Sequence, residues 1–207
     1  MEKTDLLKQY KPYYSATAKP VLSRNGPVSY ISVCGKGDPS GPVFAENIGA
    51  LYRTAYTIKA YCKKQQKDFT VPKLEGLWWY DEKKYGSHTM AAAPGHIPRE
   101  EWEYRLLIRM PGFVRAEMLV QARETIISLK EMKSAPEIDW FVMDEGEVIR
   151  VLHTGPFATE PATLGKIQDF MKERGLVRNG LHHEIYLSDF RRTAADRLKT
   201  ILCEPVK

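Results

Sequence analysis

Apolar residues recur along the chain with two periods, one typical of β-strands and one typical of amphipathic helices. Residues 28–33 alternate and are rich in β-branched and aromatic side chains, and the turn-forming sequence GKGDPSGP follows at residues 35–42. Beyond this turn, apolar side chains return every three or four positions, which predicts a helix of about twenty residues. The residues on its apolar face are Phe44, Ile48, Leu51, Ala55, Ile58 and Cys62.

The pattern then predicts two further strands and a second helix. The strands cover residues 74–80 and 102–109, and the long sequence DEKKYGSHTMAAAPGHIPREE between them has no regular period. Pro111 and Gly112 end the second strand. A helix is predicted from about residue 115 to residue 132, with one apolar face. That face contains Leu119, Ala122, Ile126 and Leu129.

The second half of the chain repeats this order of elements. A strand near residue 148 leads through a Gly/Pro turn to an amphipathic helix, which stops near Gly175. A strand around Glu184, a short helix capped by Thr193 and a last strand at residues 198–204 follow. The order β, α, β, β thus occurs twice, which predicts an α+β fold with two antiparallel sheet units, each backed by a helix. When the two halves are aligned, Tyr30 matches Val148, Ile31 matches Ile149, Val33 matches Val151 and Gly37 matches Gly155.

Composition narrows the class of protein without identifying it. The chain has 207 residues, of which 43% are apolar, and this suits one globular domain. Its net charge is +5, but the basic residues form no clustered face, so we expect no direct binding of nucleic acid. The first residues, MEKTDLLKQYKPYY, are too charged for a signal peptide, and no apolar run approaches the roughly 18 residues of a membrane span. Cys34, Cys62 and Cys203 are widely spaced and form no CxxC motif. We therefore expect a cytoplasmic protein with no membrane segment and no disulfide framework.

The familiar motifs of catalysis and cofactor binding are missing from the sequence. GKGDPSGP lacks the GxxxxGK[ST] spacing of a phosphate-binding loop, and there is no GxSxG nucleophile elbow. His182 and His183 are adjacent, and adjacent side chains of a strand point to opposite faces, so the two cannot bind one metal ion. We expect neither a metal nor another cofactor.

A carboxylate in an aromatic setting is the strongest candidate for chemistry. Strand alternation places His182, Glu184 and Tyr186 on one face, and Ile185 and Leu187 on the other face, which is expected to pack on a helix. A carboxyl group among aromatic rings with little water has a raised pKa, which suits a general base or acid, and it also attracts cations. The alternative is an exposed or salt-bridged glutamate on a sheet edge, and the pattern alone does not choose between them.

Aromatic residues are concentrated in the same part of the predicted fold. Trp78, Trp79 and Tyr80 are consecutive and so project to both faces of their strand, and some of these rings must lie away from the face that the helix covers. For any single ring, packing in the core is the more common role. The other aromatic candidates are Tyr52, Tyr56, Trp102, Tyr104 and Trp140.

Taken together, these segments resemble the GyrI-like small-molecule-binding superfamily, and in particular a stand-alone bacterial branch of cyclopropanoid hydrolases. The resemblance covers nearly the whole chain, and Phe190 departs from it where a proline is expected. It implies two βαββ modules related by a pseudo-twofold axis, of the type also called SHS2, with a ligand groove between them. Within a single domain of residues 1–207, the modules would cover about residues 27–112 and 141–207, with a connecting helix at 113–140. The segments that carry it are KP and Tyr in the leader, GKGDPSGP, LYRTAYTIK, PKLEGLWWYDE, WEYRLLIRMPGFV and HHEIYLSDFRRTAADRLKTILCEPV.

The resemblance also implies a reaction and its residues. Water would open the cyclopropane ring of a planar, DNA-alkylating molecule, which would detoxify it and protect the cell. Glu184 matches the acidic residue of the family's aromatic groove and would be the general base, while Tyr104 would donate a hydrogen bond to the substrate carbonyl. The rings expected to stack on the substrate are Tyr56, Tyr186 and one of Trp78 and Trp79, of which the resemblance favours Trp79.

Two other classes of function remain open from the sequence. The same acid and rings would serve a protein that binds or sequesters aromatic or cationic drugs without chemistry. Inhibition of DNA gyrase rests only on distant fold kinship, so an interaction with gyrase is not expected. No helix-turn-helix pattern accompanies the domain, which argues against a complete transcription activator.

Overall fold

The centre of the protein is a curled antiparallel sheet, seen in a computed structural model that describes residues 3–128 and 137–207. In that part of the chain, eight strands form the sheet in the order β2-β8-β10-β9-β5-β6-β3-β7, and β1 and β4 pair separately. The strands are β1 (Thr4–Asp5), β2 (Val21–Asn25), β3 (Val28–Lys36), β4 (Phe69–Thr70), β5 (Leu74–Trp79), β6 (Glu103–Arg109), β7 (Asp139–Met143), β8 (Gly146–Thr154), β9 (His182–Tyr186) and β10 (Lys199–Pro205).

The two longest helices lie on one face of this sheet. The helix predicted from residue 44 packs on β3 and β6, and the helix of the second half packs on β8. It ends at Gly175, whose φ of 66° permits the left-handed conformation that closes a helix. The end of the helix predicted at 115–132, including Leu129, lies outside the described residues. The helices are α1 (Leu6–Gln9), α2 (Pro42–Lys64), α3 (Glu82–Tyr85), α4 (Ala116–Ser128) and α5 (Glu160–Arg174), and none of them is long and apolar enough to cross a membrane.

The predicted α+β class is confirmed. The elements β3, α2, β5 and β6 are followed later in the chain by β8, α5, β9 and β10, the order expected for two βαββ units. Strands β5 and β9 pair at the centre of the sheet, so the two sets of elements meet there. Descent of the two halves from one duplicated module, and the boundaries given above, stay predictions.

The leader is structured, although its sequence predicted no regular element. It adds β2 at the edge of the sheet and covers the face opposite the helices, where Leu6, Tyr13 and Tyr14 pack with Ile185 and its neighbours. The helix expected on the Ile185 face is thus the short α1 with the rest of the leader, and neither of the two longest helices. The two long helices cover the Glu184 face instead, because the leader already buries the other one.

A buried polar network anchors the leader to the sheet. Tyr13 donates a 2.7 Å hydrogen bond to Glu75 and lies 2.8 Å from the Tyr30 hydroxyl. His183 contacts Glu75 at 3.1 Å through Nε2 and Glu145 at 2.9 Å through Nδ1. Glu75 and His183 are completely buried. Burial alone would lower the pKa of His183, but the neighbouring carboxylates raise it well above its usual value.

Removing one hydroxyl from this network is expected to destabilise the fold. Tyr13→Phe leaves the buried Tyr30 hydroxyl without its partner and takes one donor from Glu75, so the free energy of unfolding should fall by about 1–3 kcal/mol. Urea unfolding followed by circular dichroism measures this change. Tyr10→Phe is the matched control. Tyr10 is partly exposed, and it contacts the Arg109 guanidinium with the face of its ring, which phenylalanine keeps. Equal stability of the two variants would show that the network does not stabilise the leader.

Candidate ligand groove

The strand register brings Glu184 to the centre of the helix-covered face. Glu184 lies opposite Gly76 on β5 and Leu202 on β10, and its side chain is 12% exposed. Tyr186 and His182 are two residues away on the same strand and therefore lie on the same face. The predicted alternation along β9 is confirmed, and the alternative of an edge position is wrong because β9 is an inner strand.

Trp78 and Tyr186 form the aromatic floor beside Glu184. The Trp78 indole Nε1 donates a 3.0 Å hydrogen bond to the Tyr186 hydroxyl. Gly76 makes this arrangement fit, because a Cβ there would lie 3.0 Å from the Tyr186 hydroxyl and 3.1 Å from the indole nitrogen. Burial and the Glu184 charge raise the pKa of Tyr186 well above its usual value, so its hydroxyl stays protonated.

Tyr104 lies on the same face but is turned away from Glu184. Its ring packs at 5.6 Å from the Trp78 ring and 4.9 Å from Phe44, and it is completely buried. The hydroxyl lies over Gly35, where any Cβ would clash with it, and accepts a 3.1 Å hydrogen bond from Asn47 on α2. Within the described residues the hydroxyl makes no other hydrogen bond, so its own proton has no acceptor there.

Two of the predicted stacking residues lie outside this cluster. Trp79 points to the opposite face of β5 and packs with the cluster of Tyr30, Leu77 and Leu107, so the preference for Trp79 over Trp78 as the groove residue was wrong. The choice followed the resemblance, because the sequence did not show which face the helices cover. Tyr56 on α2 is 56% exposed and contacts no other ring in the described part of the chain.

A buried histidine places positive charge beside Glu184. His182 Nε2 lies 3.4 Å from Glu184 Oε1, and Nδ1 lies 3.1 Å from Glu204, which also pairs with Arg178 at 3.0 Å. Burial alone would lower the pKa of His182, but its contacts with Glu184 and Glu204 outweigh burial and raise the pKa to about 9. At neutral pH the imidazolium therefore stabilises the negative charge of Glu184.

A second carboxyl group, Glu160, was missed by the sequence analysis. It is the first residue of α5, is only 8% exposed, and its Oε1 has no hydrogen-bond partner among the described residues. Burial, followed by the nearby Glu184 charge, raises the pKa of Glu160 well above its usual value. A glutamate in the first turn is common in helices, so the sequence carried no signal that this one faces inward.

Two more aromatic rings lie against Tyr186, and one cavity lies beside each of the two longest helices. Phe157 and Phe190 pack edge-on against Tyr186 at 6.0 and 5.7 Å, so the residue that departs from the family pattern continues the aromatic wall. A small cavity of about 70 Å³ lies beside Tyr186, between α2 and the turn after β9. A larger one of about 400 Å³ lies between α5 and residues 87–90. Tyr186 lines the small cavity and Glu204 lines the larger one, whereas Glu184 and Trp78 line neither of the two.

The aromatic floor depends on Gly76. Gly76→Ala should break the hydrogen bond between Trp78 and Tyr186 and destabilise the fold by about 1–3 kcal/mol, as expected for overpacking. The Trp78 indole resonance in a ¹⁵N correlation spectrum and urea unfolding measure the two effects. Gly26→Ala is the control, because nothing lies within 4 Å of a Cβ at that position. An unshifted indole resonance would mean that the floor does not require a glycine.

Glu184, Glu160 and the Trp78–Tyr186 floor together form an acidic, aromatic cluster on the helix-covered face of the sheet. The sequence matches the GyrI-like small molecule binding domain over residues 26–207, and the chain belongs to this family. No curated protein sequence matches the chain at a significant level. Among the described residues, no group of three His, Cys, Asp or Glu side chains could hold a metal ion.

Several solved structures share the fold. An uncharacterised conserved protein from Listeria innocua is 32% identical, with a TM-score of 0.87 over 99% of this chain and 100% of its own. A protein from Listeria innocua described as a hydrolase is also 32% identical, with a TM-score of 0.84 over 99% of this chain and 100% of its own. The C-terminal domain of EcmrR shares the fold alone, at 11% identity and a TM-score of 0.55 over 91% of this chain and 97% of its own.

Proposed function

We propose that this protein hydrolyses planar cyclopropanoid molecules that alkylate DNA, and that it protects the cytoplasm of a bacterial cell from them. The observation that carries the proposal is the position of Glu184, a nearly buried carboxylate that has an imidazolium on one side and the Trp78–Tyr186 floor on the other. A base for water and a stacking surface for a flat ring are thus adjacent. The description of 32% identical neighbours as hydrolases supports an enzymatic role.

The proposed reaction adds one water molecule to a cyclopropane fused to a dienone. Glu184 accepts a proton from water while the water oxygen forms a bond to the less hindered ring carbon. The bond between that carbon and the dienone ring breaks, and its electron pair moves through the ring to the carbonyl oxygen, which becomes a phenol after protonation. Relief of ring strain and the gain of an aromatic ring favour this direction.

Negative charge grows on the carbonyl oxygen as the ring opens, and Tyr104 is the proposed hydrogen-bond donor there. Strand β5 separates β6 from β9, so the Tyr104 and Glu184 backbones stand about 10 Å or more apart across the sheet. The Trp78 ring lies between the two groups. A flat substrate on this ring would present its cyclopropane to Glu184 and its carbonyl to Tyr104, with Phe44 moving aside.

Mass spectrometry of a cyclopropanoid DNA alkylator incubated with the wild-type protein tests this proposal. The expected product is the alkylator plus one water, formed in proportion to enzyme and time. A heat-denatured sample of the same protein controls for spontaneous hydrolysis. Recovery of unchanged alkylator from the native protein would overturn the hydrolase.

A second candidate is a protein that binds aromatic or cationic drugs without chemistry. It is favoured by the two carboxyl groups, Glu184 and Glu160, that face the aromatic groove. In that case unchanged alkylator would co-elute with the protein, and a lipophilic aromatic cation would displace it. Turnover with multiple cycles would exclude this reading.

A further inference from the structure

Glu160 is a buried carboxyl group close to Glu184 that takes no part in the reaction proposed above. The residue is only 8% exposed, and its Oε1 is buried and makes no hydrogen bond within the described residues. Buried polar atoms in folded proteins nearly always have a partner. An acceptor in this position, next to Glu184, is suited to bind a polar group that enters the groove.

The surroundings of Glu160 favour its uncharged form. As the first residue of α5 it lies where the helix dipole would stabilise an anion. Burial and the charge of Glu184 oppose this, and both raise the pKa of Glu160. The titratable groups that interact with it are Glu184 and Tyr186 on β9. His182 lies on the far side of this pair as the partner of Glu184, and His153 on β8 contacts Thr159, the residue before α5.

We propose that Glu160, as an uncharged carboxyl group, holds the attacking water together with Glu184. The water donates one hydrogen to the Glu184 carboxylate, which removes it, and the other hydrogen to Oε1 of Glu160, which keeps its own proton throughout. Glu160 is thus a second residue in contact with the nucleophile, and it fixes the water over the ring carbon. This assignment rests on the proposed hydrolase function.

Turnover of Glu160→Gln and Glu160→Leu tests the role. Glutamine keeps an uncharged acceptor oxygen, so Glu160→Gln should retain kcat near the wild-type value, whereas Glu160→Leu should lower kcat by about 10²-fold through misplacement of the water, with KM unchanged. As the pH rises, ionisation of Glu160 should lower wild-type turnover, because a second negative charge beside Glu184 opposes the developing phenolate. This loss should be absent from Glu160→Gln, in which the deprotonation of His182, with a pKa of about 9, remains. Glu173→Gln, an exposed change on the same helix, is the control.

A titration by ¹³C NMR of glutamate-labelled protein gives a readout that does not need turnover. The resonance that disappears in Glu160→Gln should remain that of a protonated carboxyl group well above the pH range of an ordinary glutamate. Titration in the ordinary acidic range would overturn the proposal, as would normal kcat in Glu160→Leu or loss of kcat in Glu160→Gln. If the wild type forms no hydrated product, the hydrolase itself has failed, and the role of Glu160 falls with it.

Discussion

Glu184→Gln is expected to retain binding of a cyclopropanoid substrate and to lose turnover. Glutamine has the same size and keeps a polar group beside His182 and Tyr186, so the groove should keep its shape. It cannot accept the proton of water, and the loss of general base catalysis should lower kcat by about 10²–10⁴-fold. Single-turnover mass spectrometry measures the chemical step, and quenching of tryptophan fluorescence by the ligand measures binding.

Two comparisons make this experiment decisive. Glu117→Gln makes the same chemical change at an exposed position of α4 and should leave both binding and turnover unchanged. Glu184→Gln also removes the negative charge that His182 faces, so the folded fraction must be measured by urea unfolding before rates are compared. Normal turnover by a folded Glu184→Gln would show that another group activates the water.

The central part of this site was predictable because strand alternation depends only on local sequence. The segment HHEIYL placed Glu184 and Tyr186 on one face, and the register of β9 with β5 and β10 agrees. The sequence did not predict which face of the sheet the helices cover, because this depends on the leader. The leader looks polar in sequence, yet its Leu6, Tyr13 and Tyr14 form a second hydrophobic core on the opposite face. The same uncertainty led to the wrong choice between the two tryptophans.

Long-range contacts explain what the sequence did not show. Glu160 faces Glu184 only because α5 returns across the sheet, and the closed network of His183, Glu75 and Glu145 joins residues far apart in the chain. Strand β7 (Asp139–Met143) was likewise missed as an edge partner of β3, since its short alternating segment follows residues with no clear period. Gly35, which lies under Tyr104, and Gly76, which lies under Tyr186, look like ordinary strand residues in the sequence. Only the fold shows that each makes room for a ring.

Tyr104→Phe is expected to lower kcat by about 10²–10³-fold, the usual effect of removing one donor to a developing oxyanion, with little change in KM. The ring remains between Phe44 and Trp78, so the packing of the groove is kept. Loss of the hydroxyl leaves Asn47 without its acceptor, which should lower the free energy of unfolding by about 0.5–1.5 kcal/mol and is measured separately. Tyr10→Phe, outside the groove, should leave kcat unchanged.

The result for Tyr104 also decides where the substrate carbonyl lies. The hydroxyl is turned toward β3, and a donor role requires the ligand to reach past Trp78 and displace Phe44. Phe44→Ala should then open this path and raise the rate of association without loss of kcat. If Tyr104→Phe retains kcat while Tyr186→Phe loses it, the donor is Tyr186, whose protonated hydroxyl lies directly beside Glu184. The carbonyl would then point along β9 rather than across β5, and the substrate would bind at right angles to the orientation proposed above.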